Sequence, residues 1–177
     1  MKAKIHTRYL NKIFSLLLLT GMALSQFGCG AYSFTGASIS PETKTISIDR
    51  FPNNALTVEP TLSQKFTDDL RDKFVRETSL ILVAGNGDLQ IDGSITGYRT
   101  SPVAIQGDET AALNRLTITV EVNFVNTNDD SKSFKSSFSR HADYPSTQNL
   151  NDVQEGLIEN VNTILIQDIF NKAVVNW

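Results

Sequence analysis

The chain has 177 residues, with 16 Lys and Arg against 19 Asp and Glu and a formal net charge of −3. That length suits one ordinary domain, and the acidic balance argues against non-specific nucleic-acid binding, which needs cations to displace phosphate counterions. The single cysteine excludes a disulfide within the chain.

The first 28 residues differ from the rest. Lys2, Lys4, His6, Arg8 and Lys12 form a basic head, and Ile13 to Leu24 is an almost wholly apolar run centred on Leu16 to Leu19. The run is too short to span a bilayer, which takes about 20 residues. A basic head, a short apolar run and then small residues is the layout of a secretory signal peptide. Residues 1–28 are therefore expected to be removed. All 19 acidic residues follow residue 28, so removal leaves 12 cations against 19 acids, a net charge of −7.

Cys29 follows directly on Ser25-Gln26-Phe27-Gly28. An unpaired thiol in an oxidising compartment needs a reason, and its place supplies one. It resembles the lipobox of bacterial lipoproteins, in which the thiol receives a diacylglyceryl group and the new amine is acylated with a chain such as palmitate. Gly28 suits the position before the cut, while Gln26 and Phe27 stand where the usual box has Leu and a small residue. Each buried methylene contributes about 0.8 kcal/mol to attachment, and two or more chains anchor firmly. No acidic run follows Cys29, which favours a protein kept on the periplasmic side.

Residues 30–42 carry Gly, Ser and Pro without a period and read as a tether. Thr43 to Asp49 alternates, with Ile46 and Ile48 to one side, and predicts a short strand. Phe51-Pro52-Asn53-Asn54 stops it. Pro60 suits the opening of a helix. Leu62, Phe66, Leu70 and Phe74 then recur every four residues and predict one apolar stripe along a helix of about five turns. Lys65, Asp68, Asp69, Arg71, Asp72, Lys73 and Arg76 make its solvated face.

Leu80-Ile81-Leu82-Val83 reads as a short buried strand, and Asn86-Gly87 as a tight turn. Residues 88–98 alternate. Leu89, Ile91, Gly93, Ile95 and Gly97 face one way; Asp88, Gln90, Asp92, Ser94, Thr96 and Tyr98 face the other. Gly93 and Gly97 are expected to leave room for a helix, and residues 99–111 read as a loop. Leu116, Ile118, Val120, Val122 and Phe124 repeat the alternation. Asn126 to Ser131 is a polar turn, and Phe134 and Phe138 mark a strand that closes an antiparallel hairpin. Asn151 with Gln154 resembles a capping pair. Val153, Leu157, Val161, Ile164, Leu165 and Ile169 predict the apolar face of a helix running to about Lys172. Two amphipathic helices and one sheet with a single apolar face have one economical arrangement. It is an α+β two-layer sandwich over residues 43–177, with both helices on one face of a mixed, mainly antiparallel sheet of about four strands.

Catalytic parts are sparse. His6 lies in the expected signal peptide, and His141, with Asp143 near it, has no second ligand or nucleophile placed beside it. There is no G-x-S-x-G, no phosphate-cradling glycine loop and no Cys/His metal spacing. Asp68-Asp69 and Asp129-Asp130 read as solubility features. A binding, plugging or scaffold role is therefore expected rather than an enzyme, with no cofactor and no metal. Arg99, Arg115, Lys132, Lys135 and Arg140 lie at or near strand positions. Projecting from the polar face, they would meet phosphates or carboxylates of a lipid head group. The simpler reading is cross-strand pairing with Glu121 and nearby acids.

Cys29-Gly30-Ala31-Tyr32-Ser33-Phe34-Thr35-Gly36, Thr45 to Ile48, Phe51 to Ala55, Leu62-Ser63-Gln64 with Phe66, Gly93 to Tyr98 and the closing helix together resemble the LptE lipopolysaccharide-assembly lipoproteins. The resemblance covers nearly the whole mature chain. It implies an outer-membrane lipoprotein, lipid-anchored on the periplasmic side, with two helices on a four-stranded sheet. Such a protein sits inside the barrel of the translocon protein LptD as plug and assembly aid, binds lipopolysaccharide, and is not an enzyme. Arg99 and Arg115 are the candidates for the ligand contact. The alternative from another class is a periplasmic lipoprotein regulating an envelope enzyme such as a peptidoglycan synthase.

Overall fold

The computed structural model describes residues 39–57, 59–103 and 112–175. The expected signal peptide, Cys29 and the tether up to residue 38 lie outside these. The elements are β1 (Thr45–Ile48), α1 (Leu62–Glu77), β2 (Ile81–Leu82), β3 (Leu89–Val103), β4 (Leu113–Asn126), a 3-10 turn (Asp130–Lys132), β5 (Phe134–Pro145) and α2 (Leu150–Val174). They form one sheet in the order β2-β1-β3-β4-β5. β1 runs parallel to both neighbours, and β3, β4 and β5 are antiparallel. This is the expected α+β layout, with one strand more than expected.

The core follows from two periodicities. The four-residue spacing on α1 leaves Leu62, Phe66, Leu70 and Phe74 wholly buried, and alternation on β4 does the same for Leu116, Ile118, Val120 and Val122. Burying a side chain of this size contributes about 1.5–3 kcal/mol. Tilted aromatic pairs tie the core together: Phe51, after β1, packs on Phe66 of α1, and Phe74 of α1 on Phe170 of α2, at ring-centroid distances of 5.2 and 5.1 Å. In α2 the buried residues are Ile158, Val161, Asn162, Leu165, Ile166, Ile169, Phe170 and Val174. Ile164, expected inside, is 38% exposed, and Val153 and Leu157 are half-buried. Asn149 caps this helix by accepting from the Asn151 N–H at 3.2 Å. The side chain of Gln154 goes instead to Glu59, so the expected Asn151–Gln154 pair does not form.

Three further expectations change. The run Leu80 to Val83 is not a buried strand: only Leu80 is buried, while Ile81 and Leu82 are 64% and 40% exposed. Its amides pair inward, Ile81 N–H to Lys44 O and Val83 N–H to Ile46 O, both at 2.9 Å. This makes β2 the outermost strand. Next, the ladder between β3 and β4 shifts register between Ile95 and Gly97. Such a bulge reverses the facing of every residue beyond it. Tyr98 therefore turns inward, 7% exposed, and Gly97 turns to the polar side against Thr119. Beyond the bulge, β3 continues to Val103, where a loop was expected.

Gly93 makes room for something other than a helix. A Cβ there would lie 2.1 Å from the Glu121 carbonyl oxygen and 2.6 Å from the Phe51 ring. The turn before β3 uses positive φ at Gly85 and Asn86. Gly87 lies against β1, where a Cβ would meet the Ser47 nitrogen at 2.6 Å. Asp88 then ties β3 to β1. One carboxylate oxygen accepts from the N–H groups of Lys44 and Thr45 at 2.8 and 2.9 Å and from the Thr45 hydroxyl at 2.9 Å. The Thr45 hydroxyl in turn accepts from the Asp88 N–H at 2.9 Å.

Gly93→Ala is expected to destabilise the fold by about 1–3 kcal/mol through overpacking, read as a lower urea midpoint. The backbone donors of Lys44 and Thr45 hold the Asp88 carboxyl below its ordinary pKa of 3.8. A depressed folded pKa gives stability that is complete above the ordinary value and is lost as pH falls through the folded one. Melting curves below pH 4 are therefore expected to fall less steeply for Asp88→Asn than for the parent.

Candidate functional site

With both helices on one face, the other face of β3, β4 and β5 is open among the described residues. Residues directly opposite in an antiparallel ladder share a face, so beside the apolar end row Val103–Leu113–Pro145 the register places five polar rows side by side. They are Asp92–Asn123–Lys135, Ser94–Glu121–Ser137, Gly97–Thr119–Ser139, Arg99–Thr117–His141 and Ser101–Arg115–Asp143. The face is short-chained and hydroxyl-rich at its centre, where the Thr119 and Ser139 hydroxyls lie 3.0 Å apart. Asn123 donates to Asp92 at 2.8 Å. A shallow hollow lies at the Asp92–Lys135 end, between Ser94, Glu121 and Asn123.

The two candidate arginines both lie on this face, in adjacent rows, but their states differ. Arg115 forms a fork with Asp143: Nε to Oδ1 at 2.7 Å and Nη2 to Oδ2 at 2.8 Å. Hydrogen bonding to Arg115 holds the Asp143 carboxyl below the ordinary value, and the same bond raises the Arg115 guanidinium. Arg99 is exposed, in a row with Thr117 and His141. Among the described residues no carboxylate pairs with it.

The other basic residues do not join them as one patch. Lys135 is on the open face, opposite Asn123. Arg140 is opposite Ile118 on the helix side and pairs with Asp168 of α2 at 2.7 Å. Lys132 is in the 3-10 turn, 3.7 Å from Asp129. Arg99, Arg115 and Lys135 on the open face are thus matched by Asp92, Glu121 and Asp143. The face is polar and charge-balanced, suited to hydrogen bonding with a polar surface rather than to drawing in anions from a distance.

Cross-strand pairing was expected for these cations, with Glu121 as the named acid. The partner of Arg115 is instead Asp143, and Glu121 lies between Ser94 and Ser137. The signal was in the hairpin: once Phe124 is set opposite Phe134, counting back brings Arg115 to Asp143. On the helix side, burial first, then Glu59 and Tyr144, push the Tyr98 hydroxyl up to about 12. Among the described residues no three His, Cys, Asp or Glu side chains come together as a metal site. Nor is any helix there long and apolar enough to cross a membrane.

Several solved structures share the fold. A minor lipoprotein of Acinetobacter baumannii is 14% identical, with a TM-score of 0.50 over 74% of this chain and 92% of that one. A hypothetical protein of Chlamydia trachomatis is 9% identical, with a TM-score of 0.52 over 76% and 99%. A putative neuraminyllactose-binding hemagglutinin homologue of Helicobacter pylori is 9% identical, with a TM-score of 0.50 over 80% and 89%. At such identities the likeness is one of fold alone. No curated protein matches the chain in sequence. The model of the LptE family, described as lipopolysaccharide-assembly, matches residues 43–173, from the strand lead-in to the last turn of α2. The chain belongs to the LptE lipopolysaccharide-assembly family.

Proposed function

We propose that this protein is an outer-membrane lipoprotein, processed after residue 28 and anchored through acyl chains on Cys29. Residues 29–42 tether the domain over residues 43–177. In this reading it binds lipopolysaccharide, seats itself in the lumen of an LptD-type β-barrel and assists lipopolysaccharide delivery, with no catalytic step of its own. The observation that carries the reading beyond family membership is the open sheet face. Five rows of hydroxyl, amide and balanced charged groups offer hydrogen bonds to a polar lumen wall. An eight-stranded barrel is filled by its own side chains, whereas the lumen of a much larger one has space for a plug.

The test is affinity purification of the tagged chain from detergent-solubilised outer membranes. Recovery of a large β-barrel in near-equal amount supports the reading. Recovery of an envelope enzyme such as a peptidoglycan synthase, with no barrel, sinks it. Cys29→Ser is expected to abolish acylation and to lower the share of the chain in the outer-membrane fraction, with only the part seated in the barrel remaining there. Mass spectrometry of the N-terminal peptide reads the first, and fractionation the second.

The two arginines are expected to separate in a lipopolysaccharide-capture assay. A head-group phosphate must displace Asp143 from Arg115 but meets Arg99 directly. Arg99→Ala is expected to weaken capture by about three- to tenfold, and Arg115→Ala by less. Asp143→Asn, which frees the Arg115 fork, should strengthen it. Equal losses from both alanine variants would contradict this ranking.

A further inference from the structure

Where the lead-in to β1 passes the end of α2, the two leave a hollow of about 290 Å³ between them. One wall is apolar, made by Ile39, Leu89, Ala173 and Val174. Leu89 and Val174 belong to the buried core, and Ile39 and Ala173 pack on its margin. The rim is polar and held in place by its own bonds. Asn126 Oδ1 accepts from the N–H groups of Asn128 and Asp129, both at 3.0 Å. Asn128 Nδ2 donates to the Thr43 hydroxyl at 3.1 Å, which leaves Asn128 Oδ1 as an acceptor at the rim. Lys132 completes the rim, its ammonium 3.7 Å from Asp129.

An apolar wall under a rim with a spare acceptor suits an aromatic ring that carries one donor. The volume falls just below the roughly 300 Å³ at which small-molecule sites begin, and so suits a single large side chain. An anion is disfavoured, because Asp129 and Glu42 outnumber Lys132 in the lining. An acyl chain would cover the Asn128 acceptor and give it no partner. The chain itself has a fitting side chain within reach. α2 ends at Val174, on the wall, and Val175 is extended, with φ −101° and ψ 117°. Asn176 and Trp177 follow, and Trp177 is the one tryptophan of the sequence. Three extended residues cover up to about 10 Å, so the ring can turn back onto the hollow beside Val174. Phe34 has no donor for Asn128, and Tyr32 is seven residues from the wall at Ile39, a longer loop to close.

We propose that the indole of Trp177 seats in this hollow and clamps the lead-in to β1 against the end of α2. The ring covers Ile39, Leu89 and Val174, its N–H donates to Asn128 Oδ1, and its face meets the Lys132 ammonium in a cation–π contact. The seat includes neither candidate lipopolysaccharide residue and stands or falls independently of the reading above. One consequence does rest on that reading: in a chain anchored at Cys29, a clamp at Ile39 leaves only residues 30–38 as free tether, a reach of at most about 30 Å.

The experiment uses the full chain as isolated from cells in detergent, labelled at the methyl groups of Ile, Leu and Val. With one tryptophan in the sequence, a single indole signal and the whole indole emission report on Trp177. Nuclear Overhauser contacts are expected from that indole to the methyls of Ile39, Leu89 and Val174, with emission to the blue of free tryptophan. The Thr43 N–H, bonded to the Ser40 carbonyl at 2.9 Å, reports on the lead-in. Trp177→Ala, a change beyond the last helix, should speed its hydrogen exchange about tenfold. Ala173→Arg fills the hollow and should abolish the indole contacts, move the emission to the red and raise quenching by acrylamide. Should Ala173→Arg fail to fold, the contacts and Trp177→Ala decide alone. Indole contacts to detergent in place of the three methyls overturn the proposal and put the ring in the membrane interface. Contacts from Tyr32 or Phe34 to those methyls overturn it too, and give the hollow to the tether. Unchanged exchange at Thr43 in Trp177→Ala rules out the clamp.

Discussion

The seam between the helices and one face of the sheet governs the rest of the molecule. Leu62, Phe66, Leu70 and Phe74 on one helix, and Val161, Leu165, Ile169 and Phe170 on the other, cover the inward residues of β1, β3 and β4. Such burial has to outweigh about 1–2 kcal/mol of backbone entropy for each residue that becomes ordered. The helices supply that burial from one side only, because the sheet is apolar on one side only. The open face is thus a direct result of where the core lies. What the protein offers to its surroundings is decided by which strand positions were not needed inside.

That logic was largely readable from spacing. The four-residue stripe of α1 and the alternation of β4 each point to one face without ambiguity, and every residue of those two sets is buried as expected. The reading failed where period alone cannot decide. Four apolar residues in a row at Leu80 to Val83 look the same in a central strand and at an edge. Only the pairing of Ile81 with Thr45, with no strand beyond it among the described residues, separates the two cases. The α2 helix is amphipathic over too broad an arc for spacing to choose among Ile164, Leu165 and Ile166. Packing chose the last two. Asn162, polar by type, is 1% exposed in the same helix, and neither end of its amide finds a partner there. No propensity argument would place it inside.

The candidate arginines show the same limit for charge. Their positions on the open face follow from alternation, yet their availability depends on register, which fixes what stands opposite. Arg115 is opposite an acid and Arg99 is not. The Arg115–Asp143 fork is partly exposed, at 36% and 30% for the two side chains. Solvent and salt therefore screen it, and its value lies more in orienting the two side chains than in holding the fold. A surface composed of such pairs stays hydrated and unattractive to strangers while keeping donors and acceptors in fixed positions for a matching wall.

The bulge near Thr96 bears on how kinship within this fold is to be traced. Because one additional residue inverts inside and outside for the remainder of β3, a relative without it has a strand one residue shorter whose distal half occupies the opposite frame. A gap-free comparison of the two would then set Tyr98 against a solvent-facing position and make homologous cores look unrelated. Where a fold is shared at only 9–14% identity, a one-residue gap in the middle of this strand is to be sought before similarity is judged lost.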